Sequence, residues 1–146
     1  MPVTPIPAGY HTVTPYMTVR GLKQMLEFVQ KAFDASIVGT TQGPDSTIWH
    51  AAFRIGDSML MAGEASEKWP AMPTAIYLYV PDTDATYKQA LAAGAESVRE
   101  PADQFYGDRN CGVKDMCGNF WWLGTHFEDV ALEEVQRRAT AAKTCK

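Results

Sequence analysis

The chain repeats itself. Arg54-Ile-Gly-Asp-Ser-Met-Leu-Met-Ala-Gly-Glu64 has a counterpart in Met116-Cys-Gly-Asn-Phe-Trp-Trp-Leu-Gly-Thr-His126, and in each a Gly-Asp or Gly-Asn turn leads into a short apolar strand. About 61 residues separate Met17-Thr-Val-Arg-Gly-Leu22 from Leu78-Tyr-Val-Pro-Asp-Thr83, each reading as a strand that runs into a helix. Two copies at so long a period describe a duplicated module, because a solenoid needs three or more repeats. Neither half can bury a core alone, so the two must pair face to face. That pairing predicts a concave seam, and the seam is where function is expected.

At 146 residues the chain is long enough for one domain with a sizeable core. The duplication divides it into a first module at about 12–64, a second at about 74–126 and a C-terminal helix at about 131–142. A net charge of -4 with scattered Lys and Arg gives no footprint for nucleic acid. No apolar run approaches the ~20 residues of a membrane span, and the N-terminus, Met1-Pro-Val-Thr-Pro-Ile-Pro7, lacks the basic and apolar regions of a signal peptide. Cys111, Cys117 and Cys145 are odd in number and clustered late, which fits a reducing cytoplasm better than a disulfide framework or a structural zinc site.

Local patterns give the elements. Val13 to Val19 alternates as a half-buried strand, with Pro15 marking an edge or an interrupted ladder. Leu22, Met25, Leu26, Val29 and Phe33 recur at helical spacing. Ser36 to Gln42 reads as β, and Thr47 to Ile55 and Ser58 to Ala62 flank the Gly56-Asp57 turn as two strands. The order then repeats: a strand at 74–80, a helix at 82–93 with Gly94 as its cap, and a strand at 96–99. A loop at 100–108 precedes strands near 109–115 and 119–125, and Asp129 is placed to cap the last helix. The fold class is therefore α+β, two tandem β-α-β-β-β modules forming a curved mixed sheet around a cleft.

This arrangement resembles the vicinal oxygen chelate superfamily, which includes glyoxalase I, extradiol dioxygenases, and bleomycin and fosfomycin resistance proteins. Thr14-Pro-Tyr-Met-Thr-Val19, His50-Ala-Ala-Phe-Arg-Ile-Gly-Asp-Ser58, Tyr106-Gly-Asp-Arg109, Asp115 through Gly118 to Trp121, and Thr125-His-Phe-Glu-Asp-Val130 are similar to its PhnB-like branch. Met116-Cys117 departs from that branch, where Pro and an aromatic residue are more usual. The resemblance implies a pocket between curved sheets, and a homodimer. Sheet edges that need cover point the same way.

In metal-dependent members a divalent ion is held by four inward side chains, one from the first and one from the last strand of each module. Carried over by spacing, those positions fall on Thr14, Leu60, Ala75 and Trp122. Only Thr14 has a donor, and a lone hydroxyl is a poor ligand for a hard or borderline ion. No metal and no cofactor is expected.

Strand parity predicts which side chains face the pocket. The pocket set is Thr14, Tyr16 and Thr18; Ile48, His50 and Ala52; Ser58, Leu60, Ala62 and Glu64; Ala75, Tyr77 and Tyr79; Phe120, Trp122, Gly124 and His126. The opposite face, with Met17, Val19, Trp49, Phe53, Met59, Met61, Ile76, Leu78, Val80, Trp121 and Leu123, is apolar as a core should be. The first face mixes aromatics with a few polar tips, the usual lining of a small-molecule site.

The candidate ligand-binding residues are thus Tyr16, His50, Leu60, Tyr77, Tyr79, Tyr106, Arg109, Phe120 and Trp122. His50 is the one candidate base, weighed against an ordinary structural histidine. Trp122 either floors the pocket or plugs it. Arg109 either meets an anionic group or pairs with Asp108 or Asp115. His126 and Glu64 either meet at one rim or end their strands in solvent.

The leading expectation is a metal-independent protein that binds, and in the manner of drug-sequestering relatives retains, a small planar or aromatic molecule. The alternative is a lyase, isomerase or dioxygenase holding metal through unconventional ligands such as His50, Glu64 and His126. A third is an interaction module with a vestigial pocket. A methyltransferase is rejected, since no glycine-rich cofactor loop follows a strand.

Overall fold

The computed structural model describes residues 2–144, and Cys145 lies outside them. The elements run β1 (Tyr16–Val19), α1 (Leu22–Phe33), β2 (Ser36–Gln42), β3 (Ile48–Ile55), β4 (Ser58–Glu64), β5 (Ala75–Tyr79), α2 (Thr83–Ala92), β6 (Glu96–Asp103), β7 (Asp108–Lys114), β8 (Phe120–His126) and α3 (Leu132–Thr144). The α+β class and the tandem β-α-β-β-β order are as the duplication predicts. Each module builds its own four-stranded mixed sheet, β1-β4-β3-β2 and β5-β8-β7-β6. In both, the first strand runs parallel to the last and the other pairings are antiparallel.

Three local expectations need correction. Strand β1 starts at Tyr16 and not Val13, because Pro15 has no N–H and contributes only its carbonyl, which accepts from Met61 N at 2.9 Å. The loop expected at 100–108 is shorter, since β6 continues to Asp103 and β7 begins at Asp108. Pro101 fits there because β6 is an edge with register shifts around Arg99. Asp129 does not cap α3; its carboxylate meets His126 Nε2 at 2.7 Å.

One face of each sheet is covered by helix and is apolar. Met17, Val19, Ala51, Phe53, Leu60 and Ala62 supply it in the first module; Cys111, Val113, Trp121 and Leu123 supply it in the second. Helix α1 buries Leu22, Met25, Leu26, Phe28, Val29, Ala32 and Phe33, the stripe its periodicity predicts extended by Phe28 and Ala32. Its Phe33 ring meets Trp121 with centroids 5.0 Å apart, so a helix of the first module closes the core of the second. Gln89 Nε2 of α2 donates to the Lys31 carbonyl at 2.7 Å and fastens the two helices together. This is how two undersized halves share one core.

Both helices begin at a side chain from the last strand of their own module. The Glu64 carboxylate accepts from Gly21 N and Leu22 N at 3.0 Å each. The Thr125 hydroxyl accepts from Thr83 N at 2.9 Å. Each satisfies backbone donors that the first turn leaves open. Neither open reading of Glu64 holds, since it is a helix cap. Its counterpart is Thr125, not His126.

The register of β4 also corrects the parity expectation. Tyr16 pairs with Met61, as Tyr77 pairs with Trp122. Leu60, Ala62 and Glu64 therefore share the helix-covered side with Met17, and Met59, Met61 and Gly63 face the open side. The cause is a one-residue difference in the turns. β3 and β4 are joined by Gly56-Asp57 alone, whereas Asp115 and Asn119 close a turn with three residues between them. Aligning the turn glycines slips β4 by one residue, which inverts every side chain on it.

Candidate functional site

The open faces of the two sheets are built on one plan. Tyr16 and Tyr77, 61 residues apart, each lie across a glycine of the last strand, Gly63 and Gly124. A Cβ on Gly63 would stand 2.7 Å from the Tyr16 hydroxyl, and one on Gly124 would collide with Tyr77. A glycine there lets an aromatic ring lie down on the sheet.

On the first module the face remains sparsely polar. Tyr16 has its ring centroid 5.7 Å from that of His50. Tyr16, Thr18, Trp49, Gly63, Glu64 and Trp69 line a cavity of about 500 Å³. Trp49, next to the start of β3, lays its ring against Gly43 and is exposed, not buried as its parity predicts. A second cavity, about 480 Å³, lies between the modules, where the end of α1 and the Gly56-Asp57 turn face Tyr77 to Pro81. That groove realises the expected seam, but of the candidates it holds only Tyr77 and Tyr79. The candidates that reach an open face thus divide into two groups, one per module.

On the second module the face carries a connected polar network. Asp108 is almost fully buried, yet its Oδ2 accepts from the hydroxyls of Tyr77 at 2.8 Å and Tyr79 at 3.0 Å, and its Oδ1 lies 2.8 Å from His126 Nδ1. Burial opposes the charge on Asp108, but these three donors hold its carboxyl below the usual range. Burial raises the Tyr77 phenol, with Asp108 adding to it; for Tyr79 the bond to Asp108 is the main cause. His126 lies between Asp108 and Asp129, and its bonds to them raise its pKa. Only an imidazolium donates from both ring nitrogens, so the charged form suits this place.

Asn110, 1% exposed, continues the network. Its Nδ2 donates to Tyr106 Oη at 2.6 Å and Tyr77 Oη at 3.2 Å, and its Oδ1 accepts from Arg99 at 2.6 Å. The Arg99 guanidinium stands over the Trp122 indole, 5.1 Å from the ring centroid. Beneath that indole is Gly112, where any Cβ would collide with the six-membered ring. Trp122 therefore floors the face. Phe120, two residues away on the same side, carries Lys114 Nζ at 5.7 Å.

Two candidates are misplaced by the sequence reading. Leu60 is 2% exposed and belongs to the core, for the register reason given above. Arg109 is on the helix side of β7, where its guanidinium binds Asp84 of α2 at 2.8 and 3.0 Å and Asp103 at 3.1 Å. Neither Asp108 nor Asp115 is its partner. Asp115 instead accepts from Trp121 Nε1 at 2.8 Å within the core. The residues missed were Arg99, Asp108 and Asn110. The alternation of Asp108, Asn110 and Gly112 on one strand was the available signal, since polar residues at buried sheet positions need partners.

A model of the glyoxalase/bleomycin resistance protein/dioxygenase superfamily matches residues 10–123. The chain belongs to that superfamily. An uncharacterized protein of Mycobacterium bovis is 36% identical over 135 residues, covering 85% of this chain and 89% of its own. A Mycobacterium tuberculosis protein, also uncharacterized, matches at the same identity. Among solved structures, TioX from Micromonospora sp. ML1 superposes with a TM-score of 0.70 at 20% identity, covering 80% of this chain and 99% of TioX. The fosfomycin resistance protein FosX of Listeria monocytogenes, in a complex with Mn(II) and a dihydroxypropylphosphonic acid, gives 0.62 at 18% identity, covering 88% and 97%. At such identities the superfamily's structures speak for the fold.

The metal of such members finds no matching donor set here. With β4 in its true register, the four positions hold Thr14, Met61, Ala75 and Trp122. The Thr14 hydroxyl donates to the His11 carbonyl at 3.3 Å, and the Met61 thioether is a soft donor. Among the described residues no three His, Cys, Asp or Glu side chains converge as a ligand set. Glu64 caps α1 and His126 is held by two aspartates, so the alternative trio with His50 stays apart. Burial raises the thiols of Cys111 and Cys117 to about 11, which makes neither a ready thiolate ligand or nucleophile.

Proposed function

We propose that this superfamily member, of the PhnB-like branch, is a cytoplasmic homodimer that binds a small planar or aromatic molecule without using a metal. One observation carries the reading: on both open faces an aromatic ring crosses a strand glycine and is left accessible, Tyr16 being 57% and Tyr77 40% exposed. A core has no use for such rings, and a ligand surface does, because they offer flat contact area with little conformational freedom to lose. A second protomer covering these faces would turn each from an open surface into a closed site. Binding by affinity alone needs no Lewis acid, in keeping with Thr14, Met61, Ala75 and Trp122 at the donor positions.

A thermal-shift screen of planar aromatic compounds in the presence of a chelator tests this, because a ligand of the folded state raises its apparent stability. The expected result is stabilisation by one such class, reduced in Trp122→Ala. Stabilisation that appears only with added Zn, Ni, Fe or Mn, or a stoichiometric metal in the purified protein, would overturn it. Either would favour the metal-dependent lyase, isomerase or dioxygenase. A strictly monomeric species in micromolar ultracentrifugation would overturn the dimer.

A further inference from the structure

The geometry points to an organic anion as the ligand of the second module: a flat ring on Tyr77 and Tyr79, whose ring centroids are 5.0 Å apart, with its anionic group on Arg99. This rests on the small-molecule reading and adds the charge of the ligand to it. Arg99 sits between two irregularities of β6, at Ser97/Arg99 and Arg99/Ala102. Bulges re-aim side chains, and this guanidinium reaches over β7 onto the Trp122 indole that lies across Gly112. One of its nitrogens is held by Asn110, and no carboxylate among the described residues lies within ion-pair distance. A guanidinium has five N–H donors, and among the described residues this one makes its hydrogen bond to Asn110.

The guanidinium is also held in place. Asn110 is buried and fixed by Tyr106 and Tyr77, and Tyr77 is fixed by Asp108. An arginine that served only to solvate the edge would not need a buried amide to aim it. Asp108 does not compete for the ligand's place, since its charge already meets two tyrosines and His126. Arg109, the arginine that Asp84 and Asp103 neutralise, provides the contrast on the opposite side of the same sheet.

Distances on this face set the ligand's size. The Asn110 amide bridges the two groups, bonded to Arg99 at 2.6 Å and to the Tyr77 hydroxyl at 3.2 Å, so the guanidinium stands one side-chain amide from that hydroxyl. A ring on the tyrosines with a directly attached carboxylate spans that gap. Lys114 over Phe120 adds a second positive charge, offset by Glu96 directly across the ladder. The main selectivity therefore belongs to Arg99.

Equilibrium dialysis of the full protein against naphthalene-2-carboxylate and naphthalene-2-carboxamide tests this, because the two share a ring and differ in charge. The carboxylate is expected to bind about tenfold more tightly, the scale of one charge-assisted pairing. In Arg99→Gln the preference should fall to about one while the amide's affinity stays within about twofold. Lys68→Gln, which removes the ammonium standing 5.6 Å over Trp69 in the link between modules, should leave the preference intact. Equal binding of the two compounds by the unaltered protein, or a preference that survives Arg99→Gln, overturns the anion assignment and leaves the aromatic reading standing. Binding of neither compound at millimolar concentration overturns both. Because Arg99 is exposed, its variants should fold, and a normal melting curve establishes this for each.

Discussion

The two modules share a scaffold but differ in what fills it. Tyr16 over Gly63 matches Tyr77 over Gly124, and Glu64 at the start of α1 matches Thr125 at the start of α2. The strand that should carry chemistry differs most. Ile48, His50 and Ala52 on β3 stand where Asp108, Asn110 and Gly112 stand on β7. Replacing an apolar residue by a buried aspartate recruits two tyrosines and a histidine; replacing Ala52 by glycine makes room for an indole. Duplication supplied two equivalent faces, and a few substitutions on one strand made one of them a polar site.

The comparison breaks first at neighbouring tryptophans of β8. Trp121 is fully buried against Phe33 and bonded to Asp115, while Trp122 lies on the open face. Trp121→Ala should cost about 3–5 kcal/mol in a denaturant titration, from lost transfer energy and the cavity left behind. Trp122→Ala should cost about 1 kcal/mol or less. Comparable losses for the two would mean that the open face is core, and that the modules are not arranged as described.

A second test compares equivalent positions on β7 and β3. Asp108→Ala leaves two phenols and an imidazolium without their acceptor and should destabilise by about 2–3 kcal/mol, the range for hydrogen bonds to a charged group. Ile48→Ala removes a half-buried side chain and should cost about 1 kcal/mol. If the order is reversed, the polar network is decorative and the apolar face is the better-built one.

Most of the fold was legible because its signals are local or periodic. Helix α1 ends where its apolar spacing ends, and the repeat placed every strand pair in order. Leu60 was misread because a repeat aligned on turn glycines cannot register a turn one residue longer, and strand parity amplifies that one residue into a change of face. Tyr16, Tyr77, Tyr79, Phe120 and Trp122 fall on the expected faces because β1 and β5 follow no such turn and the spacing is set on β8 itself, so the one-residue slip falls on β4 alone. Arg109 is misplaced and Arg99 missed for a related reason. Which arginine is neutralised depends on Asp84 of α2, and which is re-aimed depends on a bulge; neither is written in the spacing of β7 or β6.

The smallest expected effect belongs to His126, and its sign separates the modules. Bonds to Asp108 and Asp129 raise its pKa above the ordinary 6.5 in the folded protein. The folded state therefore holds the proton more tightly than the unfolded one. The resulting stabilisation is complete below about 6.5, and it is lost as pH rises through the folded value. Asp108 acts at the other end: its lowered pKa gives a contribution present above the ordinary 3.8 and lost as pH falls through the folded value. The midpoint of thermal unfolding should accordingly decline slightly from mildly acidic to mildly alkaline pH. His126 is half exposed, so solvent screening keeps the change small. His126→Gln should flatten this part of the profile. If the decline survived His126→Gln, the titrating group would lie outside the second module's polar network. The assignment of the polar site to the second module would then fail.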